Sequence, residues 1–243
     1  MTTFGLIILA SIAESLVSFA AGVAVIFAER RARHIVHWVI SVAVGVLLGV
    51  VFFDLLPETI DRLGDAAFSW VLAGFVGFFV LERFLVWFHR HDSERSVAGH
   101  LVLIADGAHN FIDGVIMALA FLTDMRLGVV TTAAILVHEI PQEVGDFTIL
   151  LHSGYSKKKA LIANVAVSLT TIIGALVGYA LGGQIGFVGI LLAVVAGNFL
   201  YLASADLIPE LQHEHRAASA LLQIALVIGG ILLIVFFGTL VPE

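Results

Sequence analysis

The chain has no cysteine, which excludes a disulfide framework, a thiolate metal ligand and a thiol redox motif. It is also poor in charge. Asp, Glu, Lys and Arg make up 13% of its 243 residues, against about 25% in a soluble globular domain. With 60% hydrophobic residues, such a chain cannot cover itself for water. A net charge of −7 and a pI near 5.7 exclude a dominant phosphate-binding surface, so nucleic acid is not an expected partner. The opening residues M-T-T-F-G-L lack the basic region of a cleaved secretory signal, and the first apolar run is therefore expected to be a retained span.

What the chain has in abundance is long apolar runs, with a mean hydropathy of +1.07. Each bilayer crossing needs about 20 residues, so the length holds about eight helices and no separate soluble domain. The runs predict an all-α integral membrane protein, a single domain over 1–243, with spans at 4–28, 35–56, 68–89, 99–122, 128–152, 158–181, 184–207 and 219–240. A membrane β-barrel would alternate polar and apolar residues, and these runs do not. Arg30, Arg31, Arg33, Arg90, Arg95, Lys157, Lys158, Lys159 and Arg216 all fall on one side; the other receives only Arg62 and Arg126, and Arg83 lies inside the third span. The positive-inside rule then puts the nine in the cytoplasm and both termini outside.

The second span ends in D-L-L-P-E (Asp54 to Glu58) and the seventh in D-L-I-P-E (Asp206 to Glu210), on opposite sides of the membrane. Related segments running in opposite directions are the mark of inverted repeats, here the first three and last three spans around a central fourth and fifth helix pair. The plainer reading of the echo is two helix ends stopped by proline.

The fourth span carries A-D-G-A-H-N-F-I-D-G, whose spacings of three and four put Asp106, His109, Asn110 and Asp113 on one face. The fifth carries V-H-E-I-P-Q-E-V-G-D, with His138 and Gln142 four apart, Glu139 and Glu143 four apart, and Asp146 three beyond. The short turn T-D-M-R-L makes the two spans antiparallel neighbours, and their polar faces then meet about halfway through the bilayer. Charge at that depth costs several kcal/mol unless it is paired or binds an ion. Imidazole and carboxylate without thiol suit a borderline divalent cation: zinc, and also iron, manganese, cobalt or cadmium. Asp113 and Glu139 neutralise one such ion, or bridge two. Pro141 leaves the Val137 carbonyl without its donor. Gly114 and Gly145 let backbones approach beside the same motifs.

Glu143, Asp146 and His152, with Asp106, continue the polar face toward the cytoplasm as a candidate exit path. Asp54 and Glu58 suit either an acidic outer mouth or a capped surface helix end. Asn164 and Ser168 form a stripe suited to interhelical hydrogen bonding, with Ser168 near mid-depth also a pathway candidate. His89, His91, His213 and His215 fall in cytoplasmic loops, where metal capture and plain solvation fit equally.

H-N-F-I-D-G followed by H-E-I-P-Q-E-V-G-D-F resembles the signature pair of the ZIP family of divalent metal transporters, and A-G-N-F-L-Y-L-A-S-A-D-L-I-P-E resembles that family's seventh span. The resemblance covers essentially the whole chain and implies metal import into the cytoplasm and a homodimer. It matches His109, Asp113, His138 and Gln142 to one metal position and Asn110, Asp113 and Glu139 to a second, with Asp54 near the outer entrance. Gln142 departs from the histidine of many relatives, and a long His-rich loop between the third and fourth spans is missing. The expected function is a non-enzymatic importer, without a cofactor, that moves zinc or a similar dication across the limiting membrane of a cell by alternating access. A zinc metalloprotease would need His where Gln142 stands in H-E-x-x-H. A metal-sensing membrane protein that does not transport is the third reading.

Overall fold

The computed structural model describes residues 2–89, 95–182, 185–212 and 217–240, and every regular element among them is helical. There are eight helices: α1 (Thr3–Ala28), α2 (Ile35–Leu63), α3 (Ala66–His89), α4 (Arg95–Thr123), α5 (Met125–His152), α6 (Lys157–Leu181), α7 (Val188–Leu211) and α8 (Ala217–Leu240). Seven of them are long and apolar enough to cross a membrane. The other, α5, has 28 residues, about 42 Å at 1.5 Å per residue, but carries the polar motif. A break at Ala28 (φ −146°, ψ 41°) separates α1 from α2. Asp124 alone separates α4 from α5; its backbone is extended and its carboxylate accepts the Leu127 N–H at 2.8 Å, capping α5. The expected positions Arg90, His91, His213, His215 and Arg216 lie outside the described residues, as do the side chains of Arg30, Arg31, Arg33, His89 and Arg95.

Two helices run past their expected ends. Both α2 and α7 pass through a π-helical turn, Val51–Leu55 and Leu202–Leu207, and then continue into short helices that hold Pro57 and Pro209 in their first turn. Proline has no N–H and crowds the carbonyl four residues earlier; a wider turn at that point relieves the crowding. The helix continues where a stop was one of the two readings.

The packing carries the inverted repeat more clearly than the sequence does. Helix α2 lies along α8 and α3 along α7, while α5 lies along α1 and α4 lies along both α6 and α5. Exchanging the first three helices with the last three, and α4 with α5, maps the α2/α8 contact onto α7/α3 and the α1/α5 contact onto α6/α4. Glycines mark the seams. A β-carbon on Gly45 would strike the Val227 carbonyl of α8, and one on Gly230 would come within 2.6 Å of the Val42 carbonyl. Gly197 and Gly74 stand against the Val71 and Val194 carbonyls in the related seam. Gly45 precedes Asp54 by nine residues, as Gly197 precedes Asp206.

These pairings divide the interior into two halves. From the level of Asp113 toward Asp124 it is filled by apolar side chains, among them Leu47, Leu55, Met117, Leu119, Leu127 and Ile135. On the other side a cavity of about 760 Å³ opens between the beginnings of α2 and α4 and the ends of α3, α5 and α7. The even number of helices puts this mouth on the face opposite the termini. Large exposed side chains such as Phe68, Leu72 and Phe79 on α3 and Ile228 and Leu232 on α8 suit a lipid environment.

Candidate metal centre

Helix spacing brings His109 and Asp113 onto one face of α4, and the one-residue turn at Asp124 folds α5 back so that His138 and Glu139 meet them. His109 Nε2 and His138 Nε2 lie 3.2 Å apart. Asp113 Oδ2 is 3.5 Å from the first nitrogen and 3.4 Å from the second, and Glu139 Oε2 is 3.9 and 4.0 Å away. Asp113 and Glu139 are fully buried and His138 nearly so, and His109 and His138 line the cavity, His109 being the more exposed of the two. The His138 Nδ1 sits 3.0 Å from the Ala134 carbonyl; an N–H there donates to that oxygen and leaves the Nε2 lone pair for the centre. Neither oxygen of Asp113 or of Glu139 has a hydrogen-bond partner among the described residues. Lone pairs and carboxylates aimed at one point repel one another; a dication between them turns the repulsion into binding. Two nitrogens and two oxygens are a donor set for zinc or a similar borderline ion.

The other expected residues distribute around this group. Gln142 is half-buried and lines the cavity beside His109 and His138. Asn110 is buried, but its amide is engaged: the nitrogen donates to Asp106 Oδ1 at 2.6 Å and to the Asp106 carbonyl at 3.0 Å, and the oxygen accepts from Thr171 at 3.2 Å. Asp106 and Asp146 reach the cavity. Glu143 lies behind its wall, fully buried, and accepts a hydrogen bond from Asn164. His152 is exposed at the end of α5, its Nδ1 2.8 Å from the Thr148 carbonyl. The Ser168 hydroxyl donates to Val165 of its own helix, and the Ser168 carbonyl accepts from Ser15 at 3.1 Å, which ties α6 to α1.

Asp54 stands on the opposite face, in a second cavity of about 330 Å³ that also holds Glu58, Asp61 and Asp124. It does not face open water. Arg126 Nη2 contacts Asp54 Oδ1 at 3.1 Å, and Asp54 Oδ2 has no partner among the described residues.

Two groups were not foreseen. Glu14 is fully buried in α1, receiving the hydroxyls of Ser15 at 3.3 Å and Ser18 at 3.4 Å, and the carboxylates of Asp113 and Glu143 act on it electrostatically. The signal was present: Ser11, Glu14, Ser15 and Ser18 recur at intervals of three and four along an otherwise apolar helix. The inner cavity also holds Glu82, Asp206 and Glu210, and Tyr201, which donates to Glu82.

The chain is also similar in sequence to known proteins. The sequence model described as ZIP Zinc transporter matches residues 89–238. Zinc transporter ZIP13 of Pongo abelii is 34% identical over 221 residues, 83% of this chain and 66% of that protein. Zinc transporter SLC39A7 of Canis lupus familiaris is 39% identical over 160 residues, 61% of this chain and 33% of that protein. Zinc transporter ZIP4 of Mus musculus is 40% identical over 125 residues, 51% of this chain and 19% of that protein. The chain spans less than two thirds of the length of each of these relatives, whose names are those of transporters and not of enzymes.

Proposed function

Because this chain belongs to the ZIP zinc transporter family, we propose that it moves a divalent transition metal, zinc foremost, through the His109–Asp113–His138–Glu139 centre into the cytoplasm. The observation that carries the proposal is the convergence of four ligand groups, two of them carboxylates without a hydrogen-bond partner among the described residues, at the closed end of a cavity midway along α4 and α5. Iron, manganese, cobalt and cadmium share enough of zinc's ligand preference to be carried as well.

The direction follows from charge. The cavity opens on the face that carries Lys157, Lys158 and Lys159, the side that the positive-inside rule, applied to the sequence, assigns to the cytoplasm, with both termini outside. The conformation is then inward-open: an ion at the centre has a path past Asp106 and Asp146, while apolar packing closes the way to Asp54. Alternating access requires a second state in which that packing parts and the inner cavity closes. The membrane is proposed to be a cell's limiting membrane, and the working unit a homodimer, as the family resemblance implies.

The test is uptake into sealed liposomes that contain the purified chain and a zinc-sensitive dye. A rise in the internal signal that saturates with external zinc supports transport. Tight zinc binding without internal signal makes the protein a sensor and ends the transport reading.

A further inference from the structure

We propose that Arg126 is a tethered counter-ion at the outer mouth: while the chain is open inward its guanidinium holds at Asp54 the place of a dication, and a metal ion arriving from outside displaces it and so frees the α4–α5 hairpin to move. The inference rests on the transport reading for its purpose, but the ion pair and its exchange with metal are tested without transport.

Asp54 lies in the π turn of α2, and Arg126 is the second residue of α5, on the hairpin that carries all four ligand groups of the centre. Arg62 also meets a carboxylate, Glu58, but one turn away on its own helix. Among the described residues, Arg126–Asp54, at 3.1 Å, is thus the pair of Arg or Lys with a carboxylate that joins two helices. The next residue after each, Leu55 and Leu127, is buried in the apolar packing that closes the outer path. The ion pair therefore sits on the edge of that packing, and separating its halves pulls on the packing from both sides.

The pair is only half made. A guanidinium meets a carboxylate best through two parallel N–H bonds. Here one nitrogen contacts one oxygen, while Arg126 Nε and Asp54 Oδ2 are buried without a partner among the described residues. Asp54 is 8% exposed and lines the outer cavity, where Glu58, Asp61 and Asp124 supply three more carboxylates and Arg126 the one base. A buried carboxylate oxygen with nothing to bind, set among acids and against a single positive charge, is a place for more positive charge.

A dication and a guanidinium compete for Asp54, because like charges a few ångströms apart repel more strongly the less water lies between them. The dication brings twice the charge in a more compact form, and the acids around Asp54 add to its hold. Arg126, whose side chain is 26% exposed, has a way out to water along its own apolar stem. Its displacement leaves the hairpin without this tie to α2, so arrival of the cargo and release of the outer closure become one event. Without metal the guanidinium returns and an empty transporter is held shut toward the outside. The family resemblance puts Asp54 near the outer entrance; the partner on α5 gives that acid its second task.

The experiment uses the full chain in detergent with Leu119→Cys as its sole thiol. Leu119 is 1% exposed within the closing packing, so a water-soluble maleimide reaches that position only when the packing parts. Mn²⁺ is the probe, because carboxylates bind it and a lone thiol does not favour it. In this parent Mn²⁺ should speed the labelling. Arg126→Gln should speed it about tenfold or more without metal, and Mn²⁺ should then add nothing. Asp54→Asn breaks the pair from the other helix and should act alike. Exchanging the two groups, Asp54→Arg with Arg126→Asp, should return labelling to the parent's slow rate, which packing loosened for any other reason would not do. Zinc binding by each variant, measured on the same preparation, certifies that it is folded. Parent labelling that Mn²⁺ does not speed, single variants labelled at the parent's rate, or an exchange variant labelled as fast as the single ones overturns the proposal. Failure of zinc uptake in liposomes with the labelling pattern intact would instead overturn the transport reading alone.

Discussion

At the scale of single residues, the centre depends on groups that have no other employment. His138 is held by one bond from Nδ1 to Ala134, and the unpaired Asp113 sits 3.4 Å from its other nitrogen. Loss of either should reduce zinc uptake by more than the roughly 10- to 100-fold that loss of a supporting hydrogen bond costs. Liposomes carrying His138→Ala or Asp113→Ala at matched protein content provide the check, and normal uptake by both would sink the assignment. Gln142 offers a neutral amide where a basic nitrogen would suit zinc better. Gln142→His should lower zinc's half-saturation concentration by about tenfold, or about 1.4 kcal/mol, and widen its advantage over manganese. If Gln142 only orients a neighbour, competition between the two metals will show their ratio unchanged. The histidines and carboxylates of the centre were legible because their spacing of three or four repeats on two adjacent helices. Glu14 was not read, although its serine stripe has the same spacing, because a single acid between Ala13 and Ser15 breaks no run of the kind that marks a motif.

At the scale of helices, small residues decide how closely axes approach. Gly229 and Gly230 are neighbours on α8 with opposite surroundings: a β-carbon on Gly229 meets nothing within 4 Å, while one on Gly230 meets the α2 backbone. Gly230→Ala should cost about 1–3 kcal/mol by forcing the seam open. Gly229→Ala should be neutral or gain up to about 1 kcal/mol from helix propensity. Thermal midpoints of the two variants in one detergent test this, and equal midpoints would mean that the seam yields freely. Hydropathy alone gave the number and order of the helices. It could not give the π turns, because they depend on how Pro57 and Pro209 crowd a backbone that continues past them, and a proline in sequence reads equally as a stop. Nor could it pair α2 with α8: the glycines are visible in the sequence, but their partners lie more than 180 residues away.

At the scale of the whole molecule, the absence of cysteine gives a clean test of orientation, because any introduced thiol is the sole one. Asp65→Cys, exposed between α2 and α3, should react with a membrane-impermeant maleimide added to intact cells, whereas Lys158→Cys, exposed at the start of α6, should not. Labelling of Lys158→Cys alone would reverse the proposed direction of the cavity. The apolar packing between Asp113 and Asp124 has a further consequence, which concerns time. It occupies about 16 Å along α4 at 1.5 Å per residue, and in this conformation the inner and outer cavities have no common space. Under the proposed alternating access, a dication does not diffuse through that layer, and every ion waits for helices to move. Collective motions of this kind take microseconds to milliseconds, which caps turnover between about a thousand and about a million ions per second. Uptake should accordingly fall steeply on cooling, as a rearrangement of packed helices does, and the shallow temperature response of ions drifting through an open pore should be missing.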